Sequence, residues 1–177
     1  MAFLHPLVRD RRGPLLIALL SFLVVGGAFA SQYWGGLNPC KLCWYQRIPY
    51  GITIVLGLTA AALAERYSRA AAFVSLLCAV AFASGATVAA FHVGVEQGWW
   101  TGSTACVGVG RGIARTADEL RALLETAPIV RCNEVQWSLF GVSMAGYNVL
   151  VSIALTAFAL LTSRSLGRAQ GRAQDRT

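Results

Sequence analysis

The sequence predicts an all-α integral membrane protein, a bundle of four transmembrane helices with one long extracytoplasmic loop that bears a short amphipathic helix. Of the 177 residues, 56% are apolar and only 13% are charged, whereas soluble domains carry about 45–50% and about 25%. The mean hydropathy is +0.57. Four spans of about 20 residues use most of this length, so we expect one membrane domain over residues 1–177 and exclude a soluble enzyme.

Four apolar runs define the predicted helices. They cover about residues 15–34, 44–64, 70–91 and 139–161. Runs of this length suit helices that cross the hydrocarbon core, because a helix pairs its backbone polar groups internally. The connections 35–43 and 92–138 then form loops on one side of the membrane. The basic segment 163–177 has no apolar period and is predicted to be disordered.

The first run has a second interpretation. Basic residues precede it, and Ala28-Phe29-Ala30 near its end imitates a signal-peptide cleavage site. Its apolar stretch exceeds the roughly 7–15 residues of a secretory signal. We therefore expect the run to be retained as a span.

Basic residues are divided unevenly between the two sides of the membrane. Nine of the 15 Lys and Arg residues lie in the N-terminus, the turn between the second and third runs, and the C-terminal tail. Cytoplasmic loops are enriched in Lys and Arg, so both termini are predicted to be cytoplasmic. The tryptophans fall on the opposite side, as expected for an interfacial belt. The net charge of +7 then reflects orientation in the bilayer, and no nucleic-acid partner is expected.

Four of the five cysteines lie on the predicted extracytoplasmic side, where disulfides persist. Cys40 and Cys43 form a C-x-x-C motif, and Cys106 and Cys132 lie in the long loop. Cys78 lies within the third apolar run and is expected to pack as a small apolar residue.

The C-x-x-C motif has the sequence context of a reactive thiol pair. Pro39 precedes it and the second helix begins within it, which puts Cys43 in a first helical turn where backbone N–H groups favour the thiolate. Arg47 follows one turn later on the same face. Its cation either lowers the cysteine pKa and faces a polar ligand, or extends to the outer headgroups as a membrane anchor.

Two structural interpretations compete with redox chemistry. The separation of Cys106 and Cys132 suits a stabilising disulfide, but a C-x-x-C ring closes too short a loop to stabilise much. Structural zinc sites usually contain two close-spaced ligand pairs, and this chain has only one. The pattern favours a redox pair and predicts no metal site.

Several segments resemble the disulfide bond formation protein B (DsbB) family, including its DsbI-like branch. They are Pro39-Cys40-Lys41-Leu42-Cys43-Trp44-Tyr45-Gln46-Arg47, Phe91-His92-Val93-Gly94-Val95-Glu96-Gln97, Cys132-Asn133-Glu134 running to Trp137, and Gly141-Val142-Ser143-Met144-Ala145. The resemblance covers about residues 15–162. It implies a multi-pass thiol oxidase of the bacterial inner membrane that reoxidises a periplasmic DsbA-like partner with a thioredoxin fold. Electrons would pass to the membrane quinone pool, either ubiquinone or menaquinone.

The resemblance also implies the roles of the site residues. Cys40 and Cys43 match the quinone-proximal pair, and Cys106 and Cys132 match the periplasmic loop pair that meets the partner. Arg47 matches an arginine beside the quinone ring. His92 matches a position of the quinone site in some members, although an interfacial hydrogen bond would also explain a histidine there. Lys41 is more polar than the family's usual residue at this position. The resemblance does not identify which soluble protein is the partner.

The long loop contains a predicted amphipathic helix from about Ala117 to Thr126. Thr116 and Glu119 form a capping box, and an apolar stripe follows until Pro128. The stripe would lie on the membrane surface or pack within the loop. Glycines 108, 110 and 112 would form a hinge next to Cys106.

Two alternative functions follow from the same features. Vitamin K epoxide reductases also combine four membrane helices, a C-x-x-C, loop cysteines and a quinone, but their C-x-x-C belongs to a late span and follows the loop pair. Here the order is reversed. A non-catalytic scaffold with structural disulfides would bind no quinone and would not cycle Cys40 and Cys43.

Overall fold

The computed structural model describes residues 10–102, 116–118, 121 and 131–174, the last six of them by their backbone. Four helices and a short hairpin are found there: α1 Arg12–Tyr33, α2 Lys41–Leu63, α3 Ser68–Glu96, β1 Ser138–Leu139, β2 Val142–Ser143 and α4 Met144–Gln174. Helix α3 packs against α2 and α4, and α1 packs mainly against α2. This confirms the helical class for the described residues.

Three of the described helices are long and apolar enough to cross a membrane, namely Arg12–Tyr33, Ser68–Glu96 and Met144–Arg168. Helix α2 is not among them, although it is helical across the second predicted span. Polar Gln46 and Arg47 lie in its first two turns and lower its hydropathy. Crossing of the membrane by α2 stays a prediction.

Helix α3 extends further than predicted. The sequence assigned residues 92–138 to the outer loop, but α3 continues to Glu96. The added turn is stabilised by buried partners, since His92 bonds Gln46 and Glu96 accepts a hydrogen bond from Ser143. His92 and Glu96 therefore lie one turn apart on one helix.

The fourth apolar run begins as a hairpin rather than as a helix. The prediction of helix from Leu139 was wrong for its first residues, because β1 pairs antiparallel with β2 through Ser138–Ser143 and Leu139–Val142. Phe140 and Gly141 connect the strands with φ of 50° and 77°, which is the left-handed geometry of a tight hairpin turn. The helix starts only after this turn.

Helix α4 also continues beyond its predicted end, through Gln174. The prediction of disorder from residue 163 was wrong over this range. Leu166 is buried against Ala64 and Ala71, and the Ser163 hydroxyl donates to the Ala72 carbonyl at 2.7 Å. These contacts with neighbouring helices stabilise helical turns in a segment for which composition alone predicted disorder.

The core lies between all four helices. Its buried cluster contains Ile17, Tyr50, Cys78, Ala79, Phe82, Leu155 and Ala159. Helices α1 and α2 approach closely at Gly57, where a Cβ would lie 2.9 Å from the Pro14 carbonyl oxygen. A hydrogen bond of 2.8 Å between Ser21 and Thr53 joins the same two helices. Small residues and interhelical hydrogen bonds are the usual means of helix association in lipid.

One end of the bundle collects the predicted outer features. The five tryptophans lie at helix ends or in connections at the end that carries Cys40: Trp34, Trp44, Trp99, Trp100 and Trp137. Most of the predicted amphipathic helix 117–126, the hinge glycines and Cys106 lie outside the described residues. The fold therefore brings the N-terminus of α2, the C-terminus of α3 and the N-terminus of α4 together.

Candidate functional site

The C-x-x-C motif forms the N-terminus of α2, as predicted. Cys40 is the N-cap, and its sulfur accepts a hydrogen bond from the Cys43 N–H at 3.4 Å. The Cys40 thiol in turn donates to the Cys43 sulfur at 3.2 Å, and both are free thiols. The pair is therefore held in contact at the positive end of a helix, where a thiolate is stabilised.

Cys40 is the protonated member of this pair. The hydrogen bond to Cys43 and, next, burial raise the pKa of the Cys40 thiol to about 12. Cys40 is 4% exposed, whereas Cys43 is only partly buried. The hydrogen bond from Cys40 lowers the pKa of the Cys43 thiol, so Cys43, which faces the more open side of the site, is the cysteine that ionises first.

His92 contacts the thiol pair from α3. Its Nε2 lies 3.6 Å from the Cys40 sulfur and 3.8 Å from Glu96 Oε1, and its Nδ1 lies 2.8 Å from the Gln46 amide nitrogen. The ring is 3% exposed. His92 is therefore a buried member of the site.

A buried polar chain supports His92 from the opposite side. Asn148 donates to Gln46 Oε1 at 2.6 Å, and the Tyr50 hydroxyl donates to Asn148 Oδ1 at 2.5 Å. Ser152 lies 2.8 Å from the same hydroxyl. Buried amides that bond on both sides fix the orientation of the imidazole.

Arg47 is held by contacts with α1. Its guanidinium donates to Gln32 Oε1 at 2.6 Å and to the Ala28 carbonyl at 3.1 Å. It also lies 4.9 Å from the ring centres of both Phe29 and Trp44. An arginine anchored by hydrogen bonds and two rings is positioned rather than freely extended, and its charge interacts with Cys43.

The structure brings one loop cysteine to the thiol pair. Cys132 is 1% exposed and belongs to a buried cluster with Cys40, Leu42 and Val95, against which Cys43 packs. The backbone of Cys132 also hydrogen-bonds His92. Cys106, the other predicted loop cysteine, lies outside the described residues. Cys78 lies in the central core, as predicted for a packing residue.

A cavity of about 310 Å³ adjoins these residues. Cys40, Cys43, Gln46, Arg47 and His92 line its polar side, and its apolar side includes Val24, Val25 and Val151. Its volume is at the lower limit of ligand pockets, which run from about 300 to 1,000 Å³. An apolar cavity with convergent donors suits a flat, mostly apolar ligand with polar oxygens.

Gln46, Glu96 and Asn148 are site residues to which the sequence analysis gave no role. A signal was available for Gln46 and Asn148, because polar residues inside apolar runs usually face a bundle interior and mark functional sites. The pairs Gln46–Tyr50, His92–Glu96 and Asn148–Ser152 each have helical i, i+4 spacing. That spacing places each pair on one face, but it does not show that the three faces meet.

Fold and site together define a membrane-helix protein with a dithiol centre at a helix N-terminus beside an apolar cavity. The family described as "Disulfide bond formation protein DsbB" matches residues 10–162. The chain belongs to this family, as the sequence motifs predicted. Its members act in disulfide bond formation, so the chain is placed among the oxidoreductases of that process.

Individual relatives agree with the family match. A protein named disulfide bond formation protein B from Methylobacillus flagellatus is 29% identical over 168 residues, which cover 89% of this chain and 95% of that protein. A protein of the same name from Burkholderia pseudomallei is 26% identical and covers 93% and 94%. An uncharacterised Rickettsia prowazekii protein is 25% identical and covers 81% and 82%. No solved structure matches the chain.

Proposed function

We propose that this protein is a quinone-dependent thiol oxidase of the bacterial inner membrane that reoxidises a periplasmic DsbA-like partner. The observation that carries the proposal is that three cysteines pack in one cluster. Cys132 shares one buried cluster with Cys40 and Cys43, and this cluster adjoins the cavity that Arg47 and His92 line. A route for electrons from a loop cysteine to the C-x-x-C thus needs no long movement of Cys132.

The thiol steps are two successive disulfide exchanges. A partner thiolate attacks the Cys106–Cys132 disulfide, and the second partner thiol then releases the oxidised partner and leaves two loop thiols. A loop thiolate next attacks the Cys40–Cys43 disulfide and forms a mixed disulfide, which the second loop cysteine resolves. Two electrons now reside on Cys40 and Cys43, and the loop pair is oxidised again.

Residues of this chain prepare the C-x-x-C for its own oxidation. Cys43 accepts hydrogen bonding from Cys40 and holds the negative charge, which Arg47 stabilises. His92 lies within reach of the Cys40 thiol and of Glu96, so it can take up the thiol proton as the disulfide forms. Cys43, on the more open side, is the cysteine that we assign to the acceptor.

A quinone fits the residues present. The cavity offers apolar walls for a quinone ring, and donors on Arg47 and Gln46 for ring oxygens. The chemistry that a bound quinone supplies is the acceptance of two electrons and two protons. Cys40 and Cys43 precede the predicted second span at 44–64, so we expect this cavity near a membrane boundary, where a lipid-soluble acceptor has access.

Anaerobic turnover of purified protein tests the proposal. The protein in detergent is supplied with a reduced thioredoxin-fold partner and a short-tailed ubiquinone or menaquinone, and quinone absorbance is followed. We expect reduction of quinone that stops in Cys43→Ser. The matched control is Cys78→Ser, which removes a buried thiol far from the site and should retain turnover. Failure of the wild-type protein to reduce either quinone would favour the scaffold alternative.

A further inference from the structure

We propose that the reduced centre formed by Cys40, Cys43 and His92 is also a binding site for a thiophilic divalent cation of the Zn²⁺ class. This goes beyond the proposed oxidase function and does not depend on a quinone. Two thiolates and one imidazole are the ligand types of catalytic zinc sites with an open fourth position. The occupant would hold the thiols in the reduced state.

The geometry of the three ligand atoms supports this site. The two sulfurs and His92 Nε2 all lie within 4.8 Å of one another. In a tetrahedral site with Zn–S of about 2.3 Å and Zn–N of about 2.05 Å, ligand atoms are separated by about 3.8 Å for S–S and about 3.6 Å for S–N. The observed Cys40–His92 separation is 3.6 Å, and the Cys40–Cys43 separation is 3.2 Å. The two sulfurs must move apart by roughly 0.6 Å on that geometry. The Cys43 sulfur and His92 Nε2, which lie within 4.8 Å of each other, must settle at about 3.6 Å.

The hydrogen bonds behind His92 can accommodate a metal on Nε2. Such a metal requires the ring proton on Nδ1, which must then donate to Gln46. Turning over the amides of Gln46 and Asn148 provides this, since Gln46 then donates to Asn148 and Asn148 donates to Tyr50. The Tyr50 hydroxyl donates to Ser152 instead, at the existing 2.8 Å. Gln46, Asn148 and Tyr50 each keep a partner in this arrangement, and the imidazole stays oriented as in other sites whose histidine ligands are buttressed.

Charge and access also fit a divalent cation. Two thiolates neutralise its charge, so the buried site holds no net charge from the complex itself. The positive charge of Arg47 lies nearby and weakens cation binding relative to an isolated dithiol site. Its guanidinium is hydrogen-bonded to Gln32 and Ala28 on α1, so it does not occupy the position of the metal. The adjoining cavity gives an entry path and room for a water ligand.

Metal binding and disulfide formation exclude each other at this site. The Cys40–Cys43 disulfide has no thiolates to offer, and a metal-bound pair has no free thiolate for exchange. A thiophilic cation would therefore bind only the reduced protein and would block its oxidation.

Cobalt titration under anaerobic conditions tests the site, because thiolate ligation of Co²⁺ gives charge-transfer absorption. The protein carries Cys106→Ser and Cys132→Ser, so that Cys40, Cys43 and Cys78 are its only thiols. We expect one Co²⁺ per chain in the reduced protein, displacement by Zn²⁺, and no binding after oxidation of the C-x-x-C. Loss of binding on introducing the two loop substitutions would move the site to the loop cysteines and overturn the proposal.

Further substitutions separate the three ligands from other thiols. Cys40→Ser and Cys43→Ser should lose the charge-transfer band, and His92→Gln, which keeps a polar group beside Gln46, should weaken Co²⁺ binding at least tenfold. Cys78→Ser should bind like its parent. Equal binding by reduced and oxidised protein, or unchanged affinity in His92→Gln, would refute the site. The redox comparison needs no substitution at the ligands, so it decides the question even where a variant fails to fold.

Discussion

Substitution of Arg47 distinguishes a quinone-site residue from a membrane anchor. Either role needs positive charge near the boundary, which Arg47→Lys preserves and Arg47→Gln removes. Only the quinone role needs a planar cation in a fixed position. We expect both variants to insert and fold. The apparent affinity for quinone should be weaker in Arg47→Lys than in the wild-type protein, and weaker still in Arg47→Gln.

The contacts of Arg47 give the size of the effect. Lys can keep one of the two hydrogen bonds to α1, so it loses about 1 kcal/mol for the other and about 0.5–1 kcal/mol of ring stacking. A cation that is less well positioned must be ordered when the ligand binds. Because these contacts exist before the quinone binds, only the reordering of the cation on binding raises the quinone KM, and the sum sets its upper limit at roughly 10- to 30-fold. Loss of charge in Gln halves the strength of the remaining hydrogen bonds and raises the KM to about 100-fold or more.

The assay is turnover against quinone concentration in detergent, with protein level checked by immunoblot. Arg66→Gln is the matched control, because Arg66 also lies over a ring, that of Tyr67 at 5.9 Å, but in the turn at the opposite end of the bundle. It should leave the quinone KM unchanged. If both Arg47 variants also kept the wild-type KM, the quinone role would be refuted and Arg47 would be a membrane anchor.

The remaining predictions concern the cysteines and the buried polar chain. Cys132→Ser should stop electron entry from the partner but leave a chemically reduced Cys40–Cys43 pair able to be reoxidised by quinone, as measured by thiol trapping after each step. Alkylation of the reduced protein at pH 8 should modify Cys43 well before Cys40 by peptide mass spectrometry. At pH 8 the raised pKa keeps the Cys40 thiol protonated, whereas the lowered pKa of Cys43 favours its thiolate, which is the nucleophile. Asn148→Ala should lower the free energy of unfolding in detergent by about 1–3 kcal/mol, because it removes two interhelical hydrogen bonds, to Gln46 and Tyr50, each worth about 0.6–1.7 kcal/mol.

Each of these has a control or a contrary result. Loss of reoxidation in Cys132→Ser would show that the loop cysteines are also needed for oxidation of the C-x-x-C by quinone. Faster alkylation of Cys40 than of Cys43 would reverse the assignment of charge within the pair. Thr87→Ala removes a hydrogen bond within α3 at an exposed position and should change stability little. If Thr87→Ala and Asn148→Ala lowered the free energy of unfolding equally, the interhelical hydrogen bonds of Asn148 would contribute no more than a hydrogen bond within one helix.

Local sequence was enough to predict that the C-x-x-C lies at a helix N-terminus. Pro39 and the following apolar run predicted that α2 begins inside the motif, and the structure makes Cys40 its N-cap. Capping depends on adjacent residues, so it can be inferred without a fold. The same holds for the all-helical class, since hydropathy over 20 residues is a property of the segment alone.

Helix ends were predicted less well, because contacts between distant residues set them. Leu166 and Ser163 keep α4 helical beyond the apolar run. Ser143 and Gln46 do the same for the last turn of α3. No pattern within either segment contains those partners.

The sequence by itself determined the helical class, the two candidate pairs of cysteines and the position of Arg47 one turn from Cys43. Tertiary structure alone decided that Cys132 reaches the C-x-x-C and that Gln46 and Asn148 orient His92. These groups come from three helices and a loop, and two of them, Gln46 and Asn148, are separated by 102 positions in the chain. Their meeting depends on how helices rotate about their axes and pack at small residues such as Gly57, and a single segment does not encode that rotation.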